Sequence, residues 1–191
     1  MGSNMSRLVL VAGLCAVLLV TIGCGKSGPE KAADLINKGI TAQAAGNLDE
    51  AAADFLEASN EDRNNKFAFY NLGVVYQQQG KLLDAEFAYR IALQKDPAFP
   101  QALYNVALLR SKAGSTQEAI DLYRQAIAAD PRFAVAYLNL GYALRSIGQL
   151  DEATADINKA IALDPSLASH AATPAAPSGT PGSTATPVAA P

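Results

Sequence analysis

The sequence has no tryptophan, a single histidine and only two cysteines. Two thiols cannot build a disulfide framework or a four-thiolate metal site, and one imidazole leaves little catalytic hardware. No cofactor and no metal site is implied. Charge is sparse at 17% of residues, and 18 acids against 15 bases leave a net −3. Binding along a phosphate backbone needs a surplus of Lys and Arg on some face, so nucleic acid is not an expected partner. At 191 residues the chain is long enough for one domain with appendages and too short for two large cores.

What is abundant is apolar: half of all residues, spread unevenly. Leu8 to Ile22 form an uncharged run preceded by Arg7 and followed by Gly23-Cys24-Gly25-Lys26. A basic start, a short apolar stretch and a small residue before the cut describe an export signal, and the run is short for a membrane span. Val20-Thr21-Ile22-Gly23-Cys24 resembles the lipobox of bacterial lipoproteins, with Thr21 departing from the usual Leu. The resemblance implies that residues 1–23 are removed, that Cys24 carries the lipid, and that the chain is held on the extracytoplasmic side of a cell membrane. Cys15 is a poor rival, since Leu14 is too large for the cleavage position. Met1-Gly2 with Ser6 fits a myristoylation pattern, which the adjacent signal-type run argues against. Gly25-Lys26-Ser27 mimics the end of a P-loop but lacks the earlier glycine, Val20 standing there.

The middle of the chain repeats every 34 residues without a gap. Gly46, Gly80, Gly114 and Gly148 make one column, Ala51, Ala85, Ala119 and Ala153 a second, and Ala58, Ala92, Ala126 and Ala160 a third. Gly39, Gly73, Ala107 and Gly141 form a further small-residue column, while Phe55, Tyr89, Tyr123 and Ile157 form a large one. Within one unit, Phe69, Leu72, Gly73 and Tyr76 fall on one helical face, and Gly80 ends that helix. A second helix is expected over about Leu83 to Lys95, with Asp96-Pro97 stopping it.

Leu72-Gly73, Tyr76, Ala85, Tyr89 and Pro97, and again Leu140-Gly141, Ala153 and Pro165, resemble the tetratricopeptide repeat. The resemblance implies an all-α, right-handed superhelical solenoid of four antiparallel helix-turn-helix hairpins at 32–65, 66–99, 100–133 and 134–167, preceded by a linker at 24–31. The first unit departs from the pattern with Arg63-Asn64-Asn65 in place of Pro and with Lys38 at an apolar position, as terminal repeats do. No polar cap helix is expected after Leu167, which leaves Ile161 and Leu163 partly exposed. Residues 168–191 carry no charge and no aromatic residue and are rich in Pro, so they read as a disordered spacer containing His170.

Function is read from the columns that line the inner face of such an array. Asn37, Asn71, Asn105 and Asn139 are identical in all units, flanked by Ile36, Tyr70, Tyr104 and Leu138 and by Ile40, Val74, Leu108 and Tyr142. An amide ladder can pair with peptide groups of an extended chain, or it can tie neighbouring helices together; both readings stand. The ladder resembles that of the glycosyltransferase repeat domain acting on protein Ser/Thr, but no catalytic domain follows. Repeats that clamp chaperone carboxylates carry Lys and Arg where Ile36, Gln101 and Asn105 stand here. Asp49-Glu50 and Asp151-Glu152 start second helices, where acids favour the helix dipole; Gln77-Gln78-Gln79 and Lys112 read as solvated. The expectation is a non-enzymatic, lipid-anchored adaptor that binds a protein or peptide partner. The alternative is an assembly lipoprotein for a pilus or secretion complex, self-associating through its last helix.

Overall fold

The computed structural model describes residues 26–171 together with residues 187 and 189. The apolar run Leu8–Ile22, Cys24 and most of the C-terminal tail lie outside the described residues. Eight long helices follow in order: α1 (Gly28–Ala44), α2 (Leu48–Glu61), α3 (Lys66–Gln78), α4 (Leu82–Lys95), α5 (Pro100–Lys112), α6 (Thr116–Ala129), α7 (Ala134–Ser146) and α8 (Leu150–Leu163). A 3-10 turn, Pro165–Leu167, and a one-turn helix, α9 (Ala168–Ala171), end the array. Helix α1 starts ahead of Ala32, inside the segment expected to be linker. Pro29 suits its first turn, and the Glu30 carboxylate accepts from the Ser27 N–H at 3.0 Å.

Each hairpin is closed by its glycine. Gly46 and Gly80 have φ of +82° and +75°, a backbone region that a β-carbon disfavours. The opposite ends are closed by an aspartate column that the 34-residue pattern also carries. Asp62, Asp96, Asp130 and Asp164 each accept, through Oδ1, the backbone N–H two residues on, at 2.9–3.0 Å. This local turn works with or without proline, which is why the first unit turns at Arg63-Asn64-Asn65. There Asn65 Oδ1 also caps α3 by accepting from Phe67 N–H at 3.0 Å.

Packing follows from the small columns. A β-carbon on Gly73 would lie 2.6 Å from the Tyr89 ring, so α3 and α4 approach as closely as they do only because that position is bare. Four clusters succeed one another along the array. Phe55 with Ile36 and Leu72, Tyr89 with Tyr70 and Phe99, Tyr123 with Tyr104 and Leu140, and Ile157 with Leu138 and Leu167 mark them. Helix α1 touches α3, and α5 touches α7, contacts that the even-numbered helices do not match. The odd helices therefore lie on the inside of the curve.

Both ends differ from expectation in instructive ways. Lys38 bonds Asp54 Oδ1 at 2.7 Å, with Glu50 3.8 Å away. Repeat two has Leu72 and Ala88 at the equivalent positions, packed against the first hairpin. With no hairpin before it among the described residues, the first unit carries an ion pair on this surface. At the other end, α8 is followed among the described residues by a single helical turn rather than a long cap helix. Asp164-Pro165-Ser166-Leu167-Ala168 repeats Asp130-Pro131-Arg132-Phe133-Ala134, and the one-turn helix α9 follows it. Leu167 is buried against Leu138, Ile157 and Ala160, leaving Ile161 and Leu163 half-buried. Residues 168–171, expected to be part of the spacer, form this helical turn.

The outer helices are linked by ion pairs one repeat apart, Arg90 to Glu118 at 3.4 Å and Arg124 to Glu152 at 2.6 Å, with Arg110 joining Glu86. The acidic pairs Asp49-Glu50 and Asp151-Glu152 do lie in the first turns of α2 and α8. No helix among the described residues is long and apolar enough to cross a membrane.

Candidate functional site

The four-asparagine column runs along the inner helices α1, α3, α5 and α7, but its members are not alike. Asn37 is exposed and Asn139 half-buried, whereas Asn71 and Asn105 are 0% and 1% exposed. Asn105 Nδ2 donates to Tyr70 Oη at 3.3 Å, and Asn139 Nδ2 donates to Tyr104 Oη at 2.9 Å and to the Val135 carbonyl at 3.0 Å. Each Nδ2 donor thereby reaches the preceding hairpin. Asn71 is engaged as well, although Ile36 stands where the tyrosine would be. The Nδ2 groups of Asn105 and Asn139 thus follow the reading in which the column ties neighbouring helices together.

The apolar flank is likewise closed. Tyr70, Val74, Tyr104 and Leu108 are buried, and Tyr142 is half-buried with its hydroxyl donating to the His170 carbonyl at 2.7 Å. Burial raises the Tyr70 phenol to about 12 and pushes the Tyr89 and Tyr123 phenols up further. All three hydroxyls are protonated at neutral pH, and those of Tyr70 and Tyr89 take part in hydrogen bonds to Asn105 and Gln77. The rings also stack: Tyr70 lies 5.1 Å from Phe99, and Tyr104 lies 5.2 Å from Phe133.

Two polar atoms on this face stand out. Gln101 Oε1 and Asn105 Oδ1, one turn apart on α5, are buried with no hydrogen-bond partner. Gln101 attracted attention in the sequence only as a position without a cation. The glutamine run is corrected too. Gln77 Oε1 accepts from Tyr89 Oη at 3.1 Å, Gln78 Oε1 from Gln43 Nε2 at 3.0 Å, and Gln79 Nε2 donates to Asp49 at 2.8 Å. Gln78 and Gln79 thus join the first two hairpins, and Gln77 bridges the two helices of the second, instead of merely facing water. No cluster of His, Cys, Asp and Glu able to hold a metal ion occurs among the described residues.

Stacked hairpins with a continuous inner row of side chains define a helical-repeat solenoid. The family model described as tetratricopeptide repeat matches residues 36–100, 70–132 and 104–168, and the chain belongs to that family. No curated protein matches it. Among solved structures it is similar to MamA (41-end) from Desulfovibrio magneticus RS-1, with 25% identity and a TM-score of 0.63 over 71% of this chain and 77% of that one. YrrB, "a TPR protein with an unusual peptide-binding site", is 23% identical, with a TM-score of 0.62 over 71% of this chain and 70% of that one. The first TPR of Spaghetti (RPAP3), bound to the HSP90 peptide SRMEEVD, is 21% identical, with a TM-score of 0.59 over 62% of this chain and 94% of that one. The likeness to the last two is one of fold.

Proposed function

We propose that the protein is a non-enzymatic adaptor that takes an extended, moderately apolar peptide segment along its inner face. The observation that carries the reading is the pair of unpartnered acceptors, Gln101 Oε1 and Asn105 Oδ1, on the same face of α5 as the apolar Leu108. Peptide N–H groups satisfy such acceptors whatever side chains accompany them. The peptide-binding site of YrrB and the peptide bound to the Spaghetti repeat support a peptide as the kind of ligand. The absence of cations at Ile36, Gln101 and Asn105 argues against an acidic tail as the ligand.

The Gly23-Cys24 junction after an apolar run supports a lipid anchor on Cys24 and a location on the extracytoplasmic side of a bacterial cell membrane. Radiolabelled palmitate should enter the chain and be lost on Cys24→Ala; labelling that persists rejects the anchor. Because Asn105 and Asn139 tie hairpins together, the inner face is better tested at Gln101 and Val135. Crosslinking pull-down from the native cell with Gln101→Glu and Val135→Glu combined should lose partners while circular dichroism stays unchanged. Undiminished capture rejects the inner face.

A second reading, an assembly lipoprotein working by oligomeric packing, draws on a different surface. Leu83 and Phe87 on α4 are 84% and 69% exposed, where the first and last units carry Asp49, Ala53, Asp151 and Ala155. Light scattering of the purified chain tests it: a monomer at high concentration that Phe87→Ala leaves unchanged removes this alternative.

A further inference from the structure

Arg90 to Glu118 and Arg124 to Glu152 each join residues 28 apart on successive outer helices. The same step one unit earlier sets Leu56 of α2 against Asp84 of α4, and there the row of ion pairs is broken. Leu56 is exposed, and so is Asp84, which takes part in no ion pair among the described residues. Beside Asp84 on α4 stand Leu83 and Phe87, the two most exposed large apolar side chains of the described residues.

Leu83, Phe87, Arg90, Ile91 and Gln94 recur at helical spacing and make the outward stripe of α4. At the positions of Leu83 and Phe87 the other outer helices carry Asp49 and Ala53 on α2, Gln117 and Asp121 on α6, and Asp151 and Ala155 on α8. The stripe belongs to one helix alone. Packing within the array does not call for it, since Ala85, Ala88, Tyr89 and Ala92 already supply the buried side of α4.

Charge narrows what covers it. An occupant has to bring apolar surface and a cation for Asp84 together. The apolar run 8–22 and residues 172–191 carry no charged side chain, and a bilayer interior would have to desolvate an unpaired carboxylate. A second α4 meets both needs. When two copies of a helix pair antiparallel about a two-fold axis, residues equally far before and after the axis come level. With the axis at Phe87, Asp84 of each copy comes level with Arg90 of the other, Leu83 comes level with Ile91, and the two Phe87 rings meet. The Arg90 side chain is 50% exposed and bonds Glu86 at 2.7 Å. Its guanidinium has five donors, enough to keep Glu86 and serve Asp84 of the second copy.

We propose that two copies of the chain pair through α4 in this antiparallel register, as a closed dimer about Phe87. The inference rests on the assembly reading above and gives it a surface and a symmetry. A few side chains fall short of the about 800 Å² per partner that a standard stable interface buries, so the pair forms and parts with concentration. Because α4 lies on the outside of the curve, pairing leaves both inner faces untouched. A dimer then offers two of them to a partner with repeated segments.

The first test replaces Phe87 in the full chain by photoreactive p-benzoylphenylalanine, which keeps an aromatic ring at the axis. Illumination of a mixture of isotopically light and heavy chains should join position 87 of one copy to α4 of another. Attachment to the run 8–22, to residues 172–191 or to another face of the second copy overturns the proposal. Charge reversal then tests the register at two exposed positions. Asp84→Arg and Arg90→Asp, each in the crosslinking chain, should lower the yield at least about five-fold by bringing like charges level. An equimolar mixture of the two variants should recover about half of the original yield, the mass-action share of mixed pairs, because each reversed charge then meets its opposite. A mixture no better than its components overturns the register. Pairs that light scattering detects but position 87 does not report sink the inference and leave the assembly reading standing, whereas a monomer at every concentration ends both.

Discussion

The side-chain amide of Asn139 donates to the hydroxyl of Tyr104 at 2.9 Å, joining the fourth hairpin to the third. The same pair recurs one unit earlier as Asn105 and Tyr70 at 3.3 Å. Tyr104→Phe should cost about 1 kcal/mol by leaving a half-buried amide donor with one partner fewer. Combined with Asn139→Ala, the loss should fall short of the sum, with a coupling of roughly 0.5 kcal/mol or more. Urea titrations of the two single variants and the double variant measure it, and strict additivity would show that the bond contributes nothing.

Gly73 sets the approach of α3 to α4. Alanine is the better helix former by about 1 kcal/mol, but its β-carbon would lie 2.6 Å from the Tyr89 ring and 3.1 Å from the Ala85 carbonyl. Overpacking of this kind costs about 1 to 3 kcal/mol and wins, because the backbone carbonyl cannot swing aside. Gly73→Ala should lower the melting temperature. A rise in melting temperature would mean that the interface yields more readily than its geometry suggests.

Lys38 and Asp54 seal the open front of the first hairpin, with the Asp54 side chain only 5% exposed. Lys38→Leu alone should destabilise the fold, because it leaves a carboxylate buried without its cation. Adding Asp54→Ala recreates the Leu72 and Ala88 pair of the second unit and should recover the stability. It also bares an apolar front, so sedimentation should show stronger concentration-dependent association than the wild-type chain does.

Alkaline pH should unfold the array through its buried phenols. Burial raises Tyr70 from 10.0 to about 12, so between those values the unfolded chain has lost a proton that the folded chain keeps. The sign is fixed by linkage: stability is fully present below pH 10 and declines as pH rises towards 12. Tyr89 and Tyr123 are pushed the same way and deepen the decline. Tyrosinate absorbance followed beside circular dichroism should show these residues ionising together with the loss of helix. Ionisation completed before any helix is lost would contradict the burial.

The fold was legible in the sequence because each hairpin is local. Glycine at a positive φ, aspartate at the turn and small residues where helices meet act within one unit, and a gapless 34-residue spacing repeats them. Reading the candidate site demanded more, since identical residues in a column have unlike surroundings. Asn37 and Asn105 share a position, yet one has solvent before it and the other has Tyr70. Gln77, Gln78 and Gln79 read as solvated until their partners on neighbouring helices were in place. The sequence by itself determined the hairpins, their number and their order. The tertiary structure decided which amides remain available and how the two ends are sealed. Those outcomes depend on what the preceding unit or the chain terminus places opposite each side chain, and no spacing within a single repeat encodes that.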